Sequence, residues 1–334
     1  MQSTRNKLIE LLAKNQHEYI SGQELSEQLQ VSRSAVWKHM KQLEKDGYRI
    51  EGVSNKGYRI LTFPQKISEN TLQWGLDTKW IGKSIIHRQI TSSTQDVAHQ
   101  AAIDGAPHGT VIIADEQTSG KGRMQRQWFS AANKGIWMSI LLRPQIPLQT
   151  SPQLTLLCGT VLAATFEKEL NVRPFIKWPN DILINEKKVA GILTEMQAEQ
   201  DRIQYVVVGI GINVNQEKKD FPEEIAQKAS SLKMETGTSL DLHKMIQEIL
   251  KRFEKMYDQY MQAGFAFVKA LWEGFGFKIG KDIIVRTMNN ERKTAFLGIA
   301  EDGALLVKND QGEKEKLYAG EIEWFKKGGV MHAW

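Results

Sequence analysis

SGQELSEQLQVSRSAVWKHMKQLEKDG, residues 21–47, reads as two capped helices with a short break between them. Ser21 is a good N-cap, and Glu24 three positions on completes a capping box, in which two side chains satisfy two orphaned backbone N–H groups. Gln30 and Val31 form the break. Ser32 caps a second helix, on which Val36, Met40 and Leu43 recur at helical spacing, and Gly47 stops it. Upstream, Leu8, Leu11 and Leu12 make the apolar stripe of an earlier helix. Downstream, GYRIEGV (47–53) and GYRILT (57–62) are β-like pieces joined by Ser54-Asn55-Lys56, and Pro64 closes the unit.

Helix, turn, helix and β-hairpin make the winged helix-turn-helix plan, in which the second helix enters a major groove with its N-terminal residues at base edges. Ser32, Arg33, Ser34, Trp37 and Lys38 fall on or near one exposed face of that helix. Lys41 and Lys45 continue the positive stripe, and the hairpin adds Arg49, Lys56 and Arg59. Arg33 suits guanine, whereas the lysines suit phosphates and carry affinity without sequence information. The rival is a helical protein-interaction module with a solvated basic face. DNA binding, unlike that module, should weaken steeply with added salt.

At 334 residues the chain exceeds one hydrophobic core, and three segments separate: 1–64, 65–270 and 271–334. A hydrophobic fraction of 41% and charged fraction of 25% are ordinary for a globular protein, and a net charge of +5 permits an anionic partner without demanding one. The single Cys158 excludes an internal disulfide framework and reads as core. No run approaches the ~20 apolar residues of a membrane span, and the N-terminus has no apolar signal core. A cytoplasmic protein without a membrane partner is expected.

The middle segment reads as a mixed sheet carrying helices. Strands are expected at 85–90, 110–115, 136–142 and 205–212. Residues 182–184 and 189–194 read as a hairpin around a four-residue loop, Asn185–Lys188. Helices are expected at 95–103, at 152–170 with Ser151 as cap and Pro152 first, and at 240–261. The last segment is strand-rich, at 278–286, 293–299, 304–308 and 313–318. Turns at Asn289-Asn290, Asp302-Gly303 and Asp310-Gln311-Gly312 suit a small β-barrel. The fold class is α+β.

Chemistry concentrates in the middle. SGKGRMQRQW (119–128) interleaves Lys121, Arg123 and Arg126 with Gly120 and Gly122. Glycines let backbone N–H groups approach an anion and arginines add bidentate donors. Nucleic acid, a phosphorylated small molecule, or a solvated mobile loop all fit that composition. The run is not a G-x-x-x-x-G-K-[ST] phosphate loop, so P-loop chemistry is excluded. KWPND (177–181) packs a cation, a rigid Trp-Pro turn, an amide and a carboxylate, and otherwise reads as a strand-ending turn. Lys188 lies in KKVAGILTE, GIGIN (209–213) is a strand with two glycines, and SSTQ (92–95) precedes a helix. The seven histidines show no H-E-x-x-H spacing, and no Ser-His-Asp arrangement is evident.

In order, the winged helix, SSTQ, the glycine-and-cation run, KWPND, K-x-A-G-I-L, GIGIN and the ending DGALLVKNDQGEKEKLYAGEIEW resemble the bifunctional biotin protein ligases, also called biotin operon repressors. The resemblance implies a class II synthetase-like ligase domain and a C-terminal SH3-like barrel. It implies that biotin and ATP, with Mg²⁺, give biotinyl-5′-AMP and pyrophosphate. Biotin then passes to one lysine of a biotin carboxyl carrier protein, of acetyl-CoA carboxylase or also of pyruvate carboxylase. It implies biotin contacts from Ser93, Thr94, Gln95, Gln117, Lys121, Gly122, Arg123 and Lys188, with Arg123, Lys188 and Lys121 catalytic. It implies nucleotide contacts from Trp128, Lys177, Asp181, Gly209, Gly211 and Asn213. The adenylate-bound homodimer would hold operator DNA, with Lys56 joining the helix residues at the interface. The chain departs from the family's G-R-G-R-x-G-R loop, having Lys121 for an arginine and Gln125 for a glycine, and Gln95 stands where Asn is common. Lys121 keeps the charge but loses bidentate geometry. A lipoate-type ligase, a biotin-sensing regulator without turnover, and a ligase whose winged helix has lost DNA are the rivals.

Overall fold

The computed structural model describes residues 4–15, 18–45, 47–62, 67–286, 291–309, 311–318 and 321–323. Pro64, the Asn289-Asn290 turn, Asp310 and Trp324 lie outside the described residues. The chain divides into two compact units, Met1–Asp77 and Thr78–Trp334.

The first unit runs α1 (Thr4–Lys14), α2 (Gly22–Leu29), α3 (Arg33–Lys45), β1 (Arg49–Val53), β2 (Gly57–Thr62) and α4 (Glu69–Gln73). Ser21 Oγ accepts from Glu24 N at 3.1 Å, and Ser32 Oγ accepts from Ala35 N at 3.2 Å. The expected box is only half made, since the Glu24 carboxylate takes Gln28 Nε2 one turn on (3.2 Å). Gln30 ends α2 in the left-handed region (φ 55). Leu8, Leu12, Leu25, Val36, Met40, Leu43 and Ile60 form a dry centre. β1 and β2 pair antiparallel as the wing.

The second unit begins β3 (Ile85–Thr91), α5 (Thr94–Ile103), β4 (Thr110–Lys121), β5 (Gln127–Ser130) and β6 (Gly135–Leu142). Next come α6 (Pro152–Leu170), β7 (Phe175–Lys177), β8 (Asp181–Ile184), β9 (Lys187–Glu199) and β10 (Arg202–Asn213). α7 (Leu232–Thr236), α8 (Leu242–Ala263) and α9 (Ala266–Phe275) follow. β11 (Asp282–Arg286), β12 (Glu291–Ile299), β13 (Leu305–Lys308), β14 (Lys314–Leu317) and β15 (Glu321–Glu323) complete the described elements. The large sheet has the order β3-β4-β6-β10-β9-β8-β7, with β5 on β4. β3 and β4 are parallel, and the other described pairs in it are antiparallel. β6 is buried at every position, which is why GIWMSILL is a continuous apolar run instead of an alternating one. Buried Cys158 sits on α6 among the core. The C-terminal strands form an antiparallel sheet of order β14-β13-β12-β11-β15.

Three local expectations change. Lys187 and Lys188 are strand residues, not loop: Asn185 and Glu186 alone turn the chain, both at positive φ (49 and 61). Two positive-φ residues match the twist of a tight hairpin, so no longer loop is needed. Ser151 makes no capping bond, because a 3₁₀ turn at Leu148–Thr150 brings it to the helix already in helical geometry. α8 starts at Leu242, not Leu240, with Asp241 as its cap, the carboxylate accepting from His243 N and Lys244 N at 2.9 and 3.2 Å.

Candidate functional site

The glycine-and-cation run is a hairpin, not a free loop. β4 continues through Lys121, β5 returns from Gln127, and Gly120 faces Trp128 across the ladder. Gly122 N donates to Arg126 O at 2.7 Å and closes the tip. At that tip Met124 and Gln125 sit at φ 54 and 59. Gln125 thus occupies a left-handed conformation at the position where the motif usually has glycine, the residue that adopts it without steric cost.

Below the tip lies a cleft lined along one wall by Ser93, Thr94, Gln95 and Gln117. These four belong to one hydrogen-bond chain. Ser93 Oγ accepts from Gln95 N (3.3 Å) at the start of α5. Gln117 Oε1 accepts from Thr94 N (2.8 Å) and Thr94 Oγ1 (3.1 Å), and its Nε2 donates to Ser130 Oγ (2.7 Å). Buried Ser139 on β6 reaches Thr94 Oγ1 at 2.8 Å and Gln95 Oε1 at 2.9 Å. The wall is therefore rigid before any ligand arrives.

A further part of the lining is made by glycines and one indole. A Cβ on Gly211 would meet the Trp128 ring at 2.5 Å, one on Gly191 would meet it at 2.7 Å, and one on Gly209 would meet Gln95 Oε1 at 2.7 Å. Side chains under about 3 Å apart cannot coexist, so glycine here lets flat groups lie against bare backbone. The Trp128 Nε1 is buried without a hydrogen-bond partner among the described residues.

Three of the four cations that line the cleft rest on an acceptor. Lys188 Nζ lies 2.8 Å from the Asp181 carboxylate and 5.1 Å from the centre of the Trp128 ring. Lys121 pairs with Asp96 on α5. Arg123 Nη1 donates to Asn180 Oδ1 at 3.3 Å. Burial pulls the Arg123 guanidinium below its ordinary range, with Asp181 opposing that shift. Burial likewise lowers Lys177, again against Asp181. Asn180 is fixed by a reciprocal pair with Ile192: Nδ2 donates to Ile192 O and Ile192 N donates to Asn180 O, both at 2.9 Å.

The cleft gathers Ser93, Thr94, Gln95, Gln117, Lys121 and Gly122. It also takes Arg123, Trp128, Asp181, Lys188, Gly209, Gly211 and Asn213. Lys177 does not line it: its cross-strand partner Asp181 does, and Lys177 stands beside that carboxylate on β7. Asn213 is buried, its Nδ2 donating to Ser230 O (3.1 Å). Sequence reasoning gave no role to Asn180, although it stands inside KWPND. It passed over Ser139, Asp96 and Glu195, which hold lining side chains in place, and the apolar cover of Phe221, Ile225 and Ala229. Those carry no spacing signal, because they come from a helix, from separate strands and from a segment far along the chain.

In the first unit Ser32, Arg33, Ser34, Trp37 and Lys38 are all exposed on α3, and Lys56 is exposed in the wing turn. A groove between helix and wing is lined by Arg33, Trp37, Lys41, Asn55, Lys56 and Tyr58. The expected positive stripe is thinner than its count of cations. Lys41 pairs with Glu44 (2.7 Å), and Arg59 pairs with Glu51 (2.7 Å), which also takes Tyr19 Oη at 2.5 Å.

Residues 87–213 match the biotin/lipoate A/B protein ligase family, residues 4–59 an HTH domain, and residues 278–324 the biotin protein ligase C terminal domain. The chain is 48% identical over 324 residues to the bifunctional ligase/repressor BirA of Bacillus subtilis, covering 97% of this chain and 99% of that one. The protein of the same description from Escherichia coli is 28% identical, covering 95% of each. The biotin protein ligase from Aquifex aeolicus in complex with biotin and ATP is structurally similar, with TM-score 0.62 and 30% identity over 72% of this chain and 98% of that one.

Proposed function

Because the chain belongs to the bifunctional biotin ligase/repressor family, we propose that it activates biotin with ATP to biotinyl-5′-AMP and transfers biotin to a lysine of a biotin carboxyl carrier protein. With the adenylate bound it acts as a DNA-binding repressor. The observation that carries this is the cleft itself. A polar wall, a glycine-and-indole wall and three cations from separate elements converge in one place.

Joining a carboxylate to an α-phosphorus brings two anions together. Preorganised cations lower that repulsion without a covalent enzyme intermediate. Lys188, Arg123 and Lys121 supply them. Their present partners are Asp181, Asn180 and Asp96, so an arriving phosphate exchanges one acceptor for another instead of filling a void of unpaired charge. Ser93, Thr94, Gln95 and Gln117 take the biotin end, and Trp128, Gly209, Gly211 and Asn213 the nucleotide end. Lys177 acts through the charge of its strand partner Asp181. The hairpin tip over the cleft keeps water from the mixed anhydride. Magnesium enters as Mg·ATP. Among the described residues no group of three acidic, histidine or cysteine side chains could hold a metal.

For the repressor we assign Ser32, Arg33, Ser34, Trp37, Lys38 and Lys56 to operator DNA. An adenylate-dependent homodimer would match a two-part operator. We keep a division at 1–64, 65–270 and 271–334, supported by family matches that fall one within each. No described helix is long and apolar enough to cross a membrane, and we place the protein in the cytoplasm.

Incubating the full chain with biotin, ATP and Mg²⁺, desalting it and analysing the retained small molecules tests the ligase. Biotinyl-5′-AMP should remain bound, and pyrophosphate exchange into ATP should need biotin and ignore lipoate. Neither retention nor biotin-dependent exchange would end this proposal.

A further inference from the structure

Glu195 on β9 sits outside the contacts assigned above, yet it decides how Gln95 is oriented. Gln95 Nε2 donates to Glu195 Oε2 at 2.8 Å and approaches Leu193 O at 3.4 Å. The same carboxylate oxygen faces His99 Nε2 at 3.2 Å, and His99 Nδ1 faces Tyr205 Oη at 3.2 Å. An ionised carboxylate only accepts hydrogen bonds. It therefore permits one orientation of the Gln95 amide, with the NH₂ outward and the oxygen inward toward Ser139.

The rest of the wall reinforces that polarity. The Ser139 hydroxyl has one proton for two oxygens, Thr94 Oγ1 and Gln95 Oε1. Thr94 spends its hydroxyl proton on Gln117, and Gln117 gives one amide N–H to Ser130. The hydroxyl protons of Ser139 and Thr94 are committed within the wall, while Gln95 Oε1, which takes one bond from Ser139, keeps a second lone pair on a residue that lines the cleft.

Resting on the ligase function proposed above, we infer that Glu195 is a positioning and specificity residue. It holds Gln95 so that this wall offers an acceptor, and it favours a ring bearing N–H donors, such as a cyclic urea, over a dithiolane that has none.

The test is biotin-dependent pyrophosphate exchange by the full chain. Glu195→Gln keeps the shape but lets the amide pair flip. KM for biotin should rise about tenfold, the scale of one hydrogen bond lost in a closed site, with kcat and KM for ATP within about twofold. In a Gln95→Ala background, Glu195→Gln should change nothing further. An unchanged biotin KM, parallel rises in both KM values, or an undiminished effect in the Gln95→Ala background would overturn the inference. If Glu195→Gln does not fold, His99→Gln, at a half-buried position, should shift biotin KM in the same direction, and an unchanged value there overturns it equally. A wild-type chain without biotin-dependent exchange would remove the ligase itself, whereas an active wild type with a silent Glu195→Gln removes only the role of Glu195.

Discussion

Lys188→Met separates what the ammonium does for chemistry from what it does for stability. The substitution keeps the side chain's length and removes its charge. A positioned donor at developing negative charge stabilises the transition state by about 2.7–4 kcal/mol, so adenylation should slow about 10²- to 10³-fold. Stability should fall as well, because Asp181 is only 6% exposed and loses the ammonium 2.8 Å away. Stripping one partner from a buried ion pair costs about 3–5 kcal/mol. The Lys188 side chain keeps 18% exposure, which places the loss at the lower end. Adding Asp181→Asn removes the stranded charge and should restore most of the melting temperature without restoring the rate. The assays are biotin-dependent pyrophosphate exchange and thermal melting on both variants. An exchange rate for Lys188→Met within about threefold of wild type, or a double variant that regains the rate, would refute the electrostatic role.

Gly211→Ala would place a methyl 2.5 Å from the Trp128 indole. The ring must move, so KM for ATP should rise about tenfold or more while equilibrium binding of biotin alone, read by calorimetry, stays close to wild type. Lys38→Ala on the exposed face of α3 should weaken operator binding evenly across sequences and reduce the slope of log K against log salt by about 1, whereas Arg33→Ala should relax discrimination at one base pair. Asp220 is hydrogen-bonded by Lys134 and by Glu217 N, contacts that hold its carboxyl below the usual range. Its stabilisation is present above the ordinary aspartate range, near about pH 4, and is lost as pH falls through the lower folded value. Melting temperatures taken from neutral to acidic pH should therefore fall less steeply for Asp220→Asn.

Elements with strong local signals were legible. The two serine caps, the α3 stripe and the Pro152 start of α6 all stand where periodicity and capping chemistry put them. Boundaries failed where tertiary contacts extend an element. β4 runs on through Lys121 because β5 pairs with it, and GKGRM alone has no strand propensity to announce that. The Asn185-Glu186 turn was hidden for a related reason, since its usual signature is Asn-Gly and here a glutamate takes the second positive φ. For the site, KWPND, the glycine-and-cation run and Lys188 were visible as residue types. Lys177 looked equivalent to Asp181 within the same five residues, and the two are direct partners across the β7–β8 ladder, yet only the carboxylate lines the cleft.

By itself the amino-acid order determined the inventory: a capped basic helix behind a wing, a mixed sheet, a strand-rich end, and cations spaced among glycines for an anion. It could do so because caps, periodicities and glycine positions act within a few residues of chain. Which cation rests on which acceptor, why the Trp128 ring needs bare backbone at Gly191 and Gly211, and how Glu195 turns an amide a hundred residues away were settled only by the tertiary structure. Those relations depend on strand register and on distances of a few ångströms between segments far apart in the chain, and no local rule encodes them.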